Sequence, residues 1–443
     1  MMDRTFPLDR RKLLAGLGAA VISPVMAPSA WAQAPRPGPG LSLQAKPTTA
    51  ALRPGGPDTP IWSLGAAAPE TALRFKRGDQ LEVTLGNDLP VAAVLNWRGI
   101  GGAPAAEALL ARPPVPSGAK DSFRVPLRHA GTLLCDLGLL DDRAARPARA
   151  LPLVVSESEP VAVDRDEVLL IEDWRLRADG TAIAPGSDPK DTIALYTVNG
   201  RPLLDIPVRA NERLRLRFIN GLQRNVVAIK IEGHDIRVMA LDSQPSEPFL
   251  ARNGALVLAP GTRVDAFIDA TGAAGATSAI LLHDGKQARP IARLVTSPEK
   301  PLREAPLPPA PPLPSNGLPA QLDLKGAARF DVALGGPQAD WVTPASFTAS
   351  APPAFRAKAG RTVVLALINR AEIATVFHLH GHHFRLLDRL DDGWKPFWLD
   401  TLAIDPGQTQ RIAFAAETAG RWLVESVATD WTAPRRLRWY NIE

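Results

Sequence analysis

Phe377-His378-Leu379-His380-Gly381-His382-His383-Phe384 carries four of the seven histidines of the chain. Read as a β-strand, its side chains alternate between two faces. His378, His380 and His382 then share one face and His383 points the other way. Imidazoles paired along one strand face are a common way to hold a transition metal. The plainer readings are a chance cluster, or a polar strand beside a loop. The stretch needs partners from elsewhere in the chain to become a site.

Outward from it, the chain reads as strands and turns. Its 443 residues suit two or three domains. With 44 prolines and 34 glycines it favours all-β domains rich in turns. The net charge of +5 is small for this length, and Arg and Asp/Glu are interspersed, which argues against nucleic acid as a partner. A single cysteine, Cys135, excludes an intrachain disulfide and a thiolate cluster. It falls at an apolar strand position and reads as a buried free thiol. His129, His234 and His283 sit at turns or strand ends and read as structural.

The N-terminus reads as an export signal. Arg10-Arg11 precedes the apolar run Ala15 to Ala27, and Ala30-Trp31-Ala32 supplies a small-x-small cleavage site. The arginine pair ahead of a mildly hydrophobic Gly/Ala-rich core is similar to a twin-arginine signal. An ordinary secretory signal or an uncleaved anchor is the alternative. The run is short for a membrane span. Residues 1–32 are therefore expected to direct a folded, monomeric protein to the periplasm, with no transmembrane segment in the mature chain.

Three β units follow. Residues 33–60 read as an irregular lead-in, and a first domain spans 45–157. Its strands are expected at 73–76, 81–85, 92–97, 121–126, 131–136 and 150–155. A second domain spans 159–299. Within it Arg213-Leu214-Arg215-Leu216-Arg217-Phe218-Ile219-Asn220 alternates strictly, a half-buried strand with its arginines outward. The proline-rich run 300–319 reads as a semi-rigid linker, and a third domain spans 320–443. Strand, Asn or Gly turn, strand recurs in each unit, as in three related sandwiches.

With these elements in place, the chain resembles the multicopper oxidase family, three consecutive cupredoxin-like Greek-key β-sandwiches. The resemblance rests on Thr197-Val198-Asn199-Gly200-Arg201, Glu232-Gly233-His234, Ala240-Leu241-Asp242, the run Leu258 to Asp265, and His378-Leu379-His380-Gly381-His382. The family's type 1 copper takes a Cys thiolate and two His, often with an axial Met, and its trinuclear cluster takes eight His from four short motifs. Carried over position by position, the first motif reads Asn96-Trp97-Arg98-Gly99. The second places Asp136 and Gly138 at its His positions. In the third, Thr375 stands at the type 1 His, while His378 and His380 keep type 2 and type 3 positions; His382 is not a ligand in the family. The fourth reads Glu425-Ser426-Val427, with Trp431 at the second type 1 His and Arg436 at the axial Met.

The resemblance implies a protein that has lost most copper ligands. It resembles the family's copper-free, SufI-type cell-division branch, non-catalytic proteins that bind periplasmic or membrane-protein partners under envelope stress. Arg98 can then pair with Asp136 and Glu425 beside His378 and His380, an ion-pair network where the cluster would sit. No cofactor is expected on this reading. The alternatives are a laccase-like oxidoreductase with an atypical copper set, or a single divalent metal held by His378, His380, Asp136 and Glu425.

Overall fold

The computed structural model describes residues 38–65, 73–139, 146–336, 340–388, 393 and 395–443. The expected signal, residues 1–32, lies outside them. The described chain is all-β: strands broken by turns, with three single-turn 3-10 helices. Among the described residues no helix is long and apolar enough to cross a membrane.

Three pairs of sheets repeat one plan. In the first pair, the sheet ordered Thr59–Leu64, Gly40–Ala50, Gln80–Asn87, Lys120–Pro126 is joined by a sheet ordered Leu73–Lys76, Leu151–Ser156, Gly131–Asp136, Asn96–Arg98. Alternate apolar residues of both, such as Leu43, Leu81, Val83, Leu133, Cys135 and Leu153, make one core. Each unit opens with a strand that pairs parallel to a later one. These pairs are Gly40–Ala50 with Gln80–Asn87, Arg165–Leu176 with Arg213–Asn220, and Ala328–Leu334 with Thr362–Asn369. Parallel neighbours need a crossover between them, and the crossover carries the chain into the facing sheet.

The same residue closes the second strand of each pair. Asn87, Asn220 and Asn369 are buried. Each accepts a bond from the backbone N–H two residues on and donates its amide to two carbonyls, one from a later segment. An Asx turn of this kind satisfies polar groups where a strand leaves the sheet.

Three expectations need correction. The lead-in is not irregular: Gly40–Ala50 and Thr59–Leu64 are paired strands of the first sandwich, which therefore begins before residue 45. The strand expected at 92–97 is the short piece Asn96–Arg98. The arginines of Arg213–Asn220 do not face outward. Arg215 and Arg217 are 1% exposed. Arg215 pairs with Glu157 and Asp265, Arg217 with Asp166 and Asp265, and Arg217 Nη1 also donates to Thr132 Oγ1 of the first sandwich. The strand alternates as expected, but its polar face is covered by another sandwich. The proline-rich run expected as a linker is held at several points. Arg213 donates to the carbonyls of Leu307 and Pro308, and Asn316 bonds Ala130, Ser243 and Gln244.

Candidate functional site

The histidine stretch is only partly a strand. Thr375–Leu379 pairs with Gly420–Ala428, placing His378 opposite Glu425. The strand ends at Leu379, and Gly381 takes φ +73°. A Cβ there would lie 2.1 Å from the Trp422 ring, so only glycine fits this turn. The turn overrides the expected alternation. His382 enters the core of the third sandwich, its Nδ1 2.7 Å from Tyr440 Oη and its ring against Phe414 and Trp422. His383 faces the second sandwich, its Nε2 2.9 Å from the Asp242 carbonyl. Only His378 and His380 stay together, ring centroids 4.8 Å apart.

Facing them is the edge of the first sandwich. Gly101 and Gly381 form an isolated bridge, and Gly102 N–H donates to the Gly381 carbonyl, tying the two sandwiches beside the site. Asn96–Arg98 pairs with Gly131–Asp136, which sets Asn96 opposite Asp136. From that edge Arg98 Nη2 reaches Glu425, 3.2 Å from Oε1 and 3.0 Å from Oε2, and Asn96 Nδ2 donates to Oε1 at 3.1 Å. Asp136 sits 3.8 Å from Arg98 Nε and accepts the Gly138 N–H at 2.6 Å. A Cβ on Gly138 would lie 2.6 Å from Asp136 Oδ1, so any side chain there would have to displace that carboxylate.

Two members of the cluster escaped the sequence reading. Arg435 places Nη1 against Glu425 Oε2. Glu107 follows the 3-10 turn Pro104–Ala106, and its Oε1 lies 2.9 Å from His380 Nδ1 and accepts the Leu423 N–H. His380 Nε2 is 2.9 Å from Glu425 Oε1, so the ring lies between two carboxylates. Local sequence gave no sign of either: Glu107 lies among alanines, and Arg435 precedes the exposed Arg436. Arg436, expected at the axial Met position, turns to solvent; its neighbour faces the site.

The electrostatics follow from these contacts. Burial works against a charged His380, but Glu107 and Glu425 overcome it and raise the imidazole to about 9. Burial also opposes ionisation of Glu425, yet Arg98, Arg435 and His380 hold it well below the usual carboxylate range. His378 is the contrast. Burial and the nearby Arg98 lower it to about 3, and its Nδ1 lies 2.9 Å from Thr401 Oγ1 and 3.1 Å from the Asp400 carbonyl. A cavity of about 50 Å³ adjoins the cluster, lined by Arg98, Asp136, Gly138, His378, Glu425 and Arg435 with loops of the second sandwich.

The remaining expected positions lie apart from this cluster or bring no metal donor. Thr375 is buried against Asn369, and Ser426 pairs in register with Phe377. Val427 lines the cavity with an apolar side chain. Trp431 is buried under the Arg175 guanidinium, 5.4 Å from its ring centre. Cys135 is fully buried in the core of the first sandwich. His129 lies beside His383 and Gln244, whereas His234 and His283 make local turn contacts. Among the described residues, one group of three or more His, Cys, Asp and Glu could bring donor atoms together: His378, His380 and Glu425, within 4.8 Å of one another.

Comparison with known proteins gives a consistent result. One family model described as multicopper oxidase matches residues 165–289 and another so described matches 321–434. The chain is 25% identical over 458 residues to multicopper oxidase MmcO of Mycobacterium tuberculosis, covering 89% of this chain and 86% of that protein. It is 24% identical to laccase-6 of Oryza sativa over 49% of this chain and 41% of the laccase. The crystal structure of a multicopper oxidase from Pseudomonas thermotolerans superposes with a TM-score of 0.77 at 25% identity, covering 91% of this chain and 99% of that one.

Proposed function

This chain belongs to the multicopper oxidase family, and we propose that within it the protein is a copper-free, non-catalytic binding or scaffold member. One observation carries the reading. Both oxygens of Glu425, at a position the family pattern gives to histidine, are engaged by the guanidiniums of Arg98 and Arg435. Two imidazoles and one such carboxylate do not fit a three-copper cluster. Thr375, Ser426 and Trp431 offer neither the thiolate nor the imidazoles of a blue-copper centre. Without that centre electrons have no entry point, so oxygen reduction by the family's route has no first step here.

On this reading the protein works in the periplasm after twin-arginine export. Its rigid sandwich faces meet periplasmic or membrane-protein partners, among them the division machinery during envelope stress. The test is a deletion strain grown under envelope stress. Filamentation reversed by the wild-type gene supports the division role, and normal septation removes it.

A second reading, a laccase-like oxidoreductase with an atypical copper set, is favoured by the proximity of His378, His380 and Glu425. Turnover of a phenol by copper-loaded protein would establish it and end the first reading.

A further inference from the structure

A buried carboxylate needs a compensating cation, either a side chain or a metal. Glu425 is 0% exposed and receives two guanidiniums. We propose that Arg98 and Arg435 form a built-in cation plug that occupies the charge position of a divalent transition-metal ion, and that removing one of them opens His378, His380 and Glu425 as a site for such an ion. The proposal rests on the copper-free reading above and deepens it.

The geometry gives three reasons. First, the donor atoms already lie within 4.8 Å of one another. Metal–donor bonds of about 2.0–2.2 Å require them to close up only slightly, and the adjoining cavity leaves room to do so. Second, both rings are oriented through Nδ1. Glu107 holds His380 at 2.9 Å, and Thr401 with the Asp400 carbonyl holds His378. That leaves Nε2 of each as the ligand atom, the arrangement by which carboxylates and carbonyls orient metal-bound imidazoles. On binding, His380 Nε2 gives up its proton to solvent and the ion takes its place between His380 and Glu425. Third, Arg98 comes from the first sandwich while Glu425, His378 and His380 belong to the third. The plug therefore also closes the seam between them. The cation is part of the chain, so a chelator cannot remove it as it would a metal ion. Two imidazoles and a carboxylate suit Zn²⁺ or Cu²⁺.

The experiment compares wild type, Arg98→Ala, Arg98→Gln and Arg98→Ala/His378→Ala. Each is purified with EDTA, melted, then melted again with equimolar and tenfold Zn²⁺. Wild type should melt at one temperature throughout and carry no zinc by elemental analysis. Arg98→Ala should melt at least about 5 °C lower, recover half or more of that loss with Zn²⁺, and hold one zinc per chain. Arg98→Ala/His378→Ala should stay low and bind none. Arg98→Gln keeps a hydrogen-bond donor without charge, so it tests zinc uptake if the alanine variant does not fold. Three results each overturn the plug: wild type stabilised by zinc as much as the variant, an unshifted Arg98→Ala, or no uptake by either Arg98 variant. Failure of the function proposed above reads out separately, as phenol oxidation by wild type with Arg98 in place.

Discussion

Arg98 Nη2 lies 3.0 Å from Oε2 of Glu425, across the seam between the first and third sandwiches and 327 residues away in sequence. The contact is a buried ion pair, and such pairs act asymmetrically. The desolvation of two charges consumes most of their attraction, yet removing one partner leaves the other charged and unpaired, a loss of about 3–5 kcal/mol. Glu425→Ala strips Arg98, Arg435 and His380 of their shared anion and should lower stability by that order in urea unfolding, and Arg98→Ala by less, because Arg435 and His380 still face Glu425. The double substitution should cost clearly less than the sum. Additive losses would show that the two side chains are not coupled.

His380 makes stability depend on pH in a defined direction. Its folded value, about 9, lies above the ordinary 6.5 because Glu107 and Glu425 outweigh burial. A raised histidine contributes fully below the unfolded value and loses its contribution as pH rises through the folded one. Wild-type stability should therefore fall between roughly pH 6.5 and 9, and His380→Gln should flatten that slope. Nitrogen chemical shifts of His380 typical of a neutral ring at pH 7 would contradict this.

Asp173 is expected to be a destabilising acid. Burial raises it to about 6 against the help of Gln223, Arg175 and Arg224, and its Oδ2 has no hydrogen-bond partner among the described residues. A carboxyl raised in the folded state is most favourable below its unfolded value near 3.8 and becomes a penalty as pH rises through about 6. Asp173→Asn retains an oxygen that can accept the Gln223 N–H. At pH 8 it should raise stability by on the order of 1–2 kcal/mol, and at pH 3 it should have no such effect. Equal midpoints at pH 8 would refute the assignment.

Asp265 is the shared anion of the arginine row. It meets Arg215 at 2.6 Å and Arg217 at 2.7 Å, and Thr132 Oγ1 donates to it at 2.5 Å. Asp265→Ala should cost about 3–5 kcal/mol, and clearly more than Asp205→Ala, whose ion pair with Arg293 is exposed and screened by solvent. Similar losses for the two substitutions would mean that the row is not energetically buried.

What the sequence disclosed followed local rules. Alternation marked Arg213–Asn220 as a strand, and the recurring Asn or Gly turn between strands was legible because such a turn is made within a few residues. What stayed hidden depended on other domains. The arginines of Arg213–Asn220 read as solvent-facing because a polar strand face looks the same whether water or a salt-bridged neighbour covers it. Arg98, Asp136 and Glu425 were foreseen together only because the resemblance to the family's four ligand motifs implied that these positions converge. Glu107 and Arg435 sit outside any motif, and nothing near them in sequence signals a contact. His382 was misplaced because the alternation rule stops at Gly381, where positive φ turns the chain.

The most direct test of the account is to purify the mature chain without added metal, incubate it anaerobically with excess Cu⁺ and then Cu²⁺, and remove unbound ion. Copper content and the visible spectrum are then measured on the same sample. A chain without copper centres stays colourless and retains far less than one copper per chain. A blue thiolate-to-copper absorption band, or three or more coppers retained per chain, would contradict it.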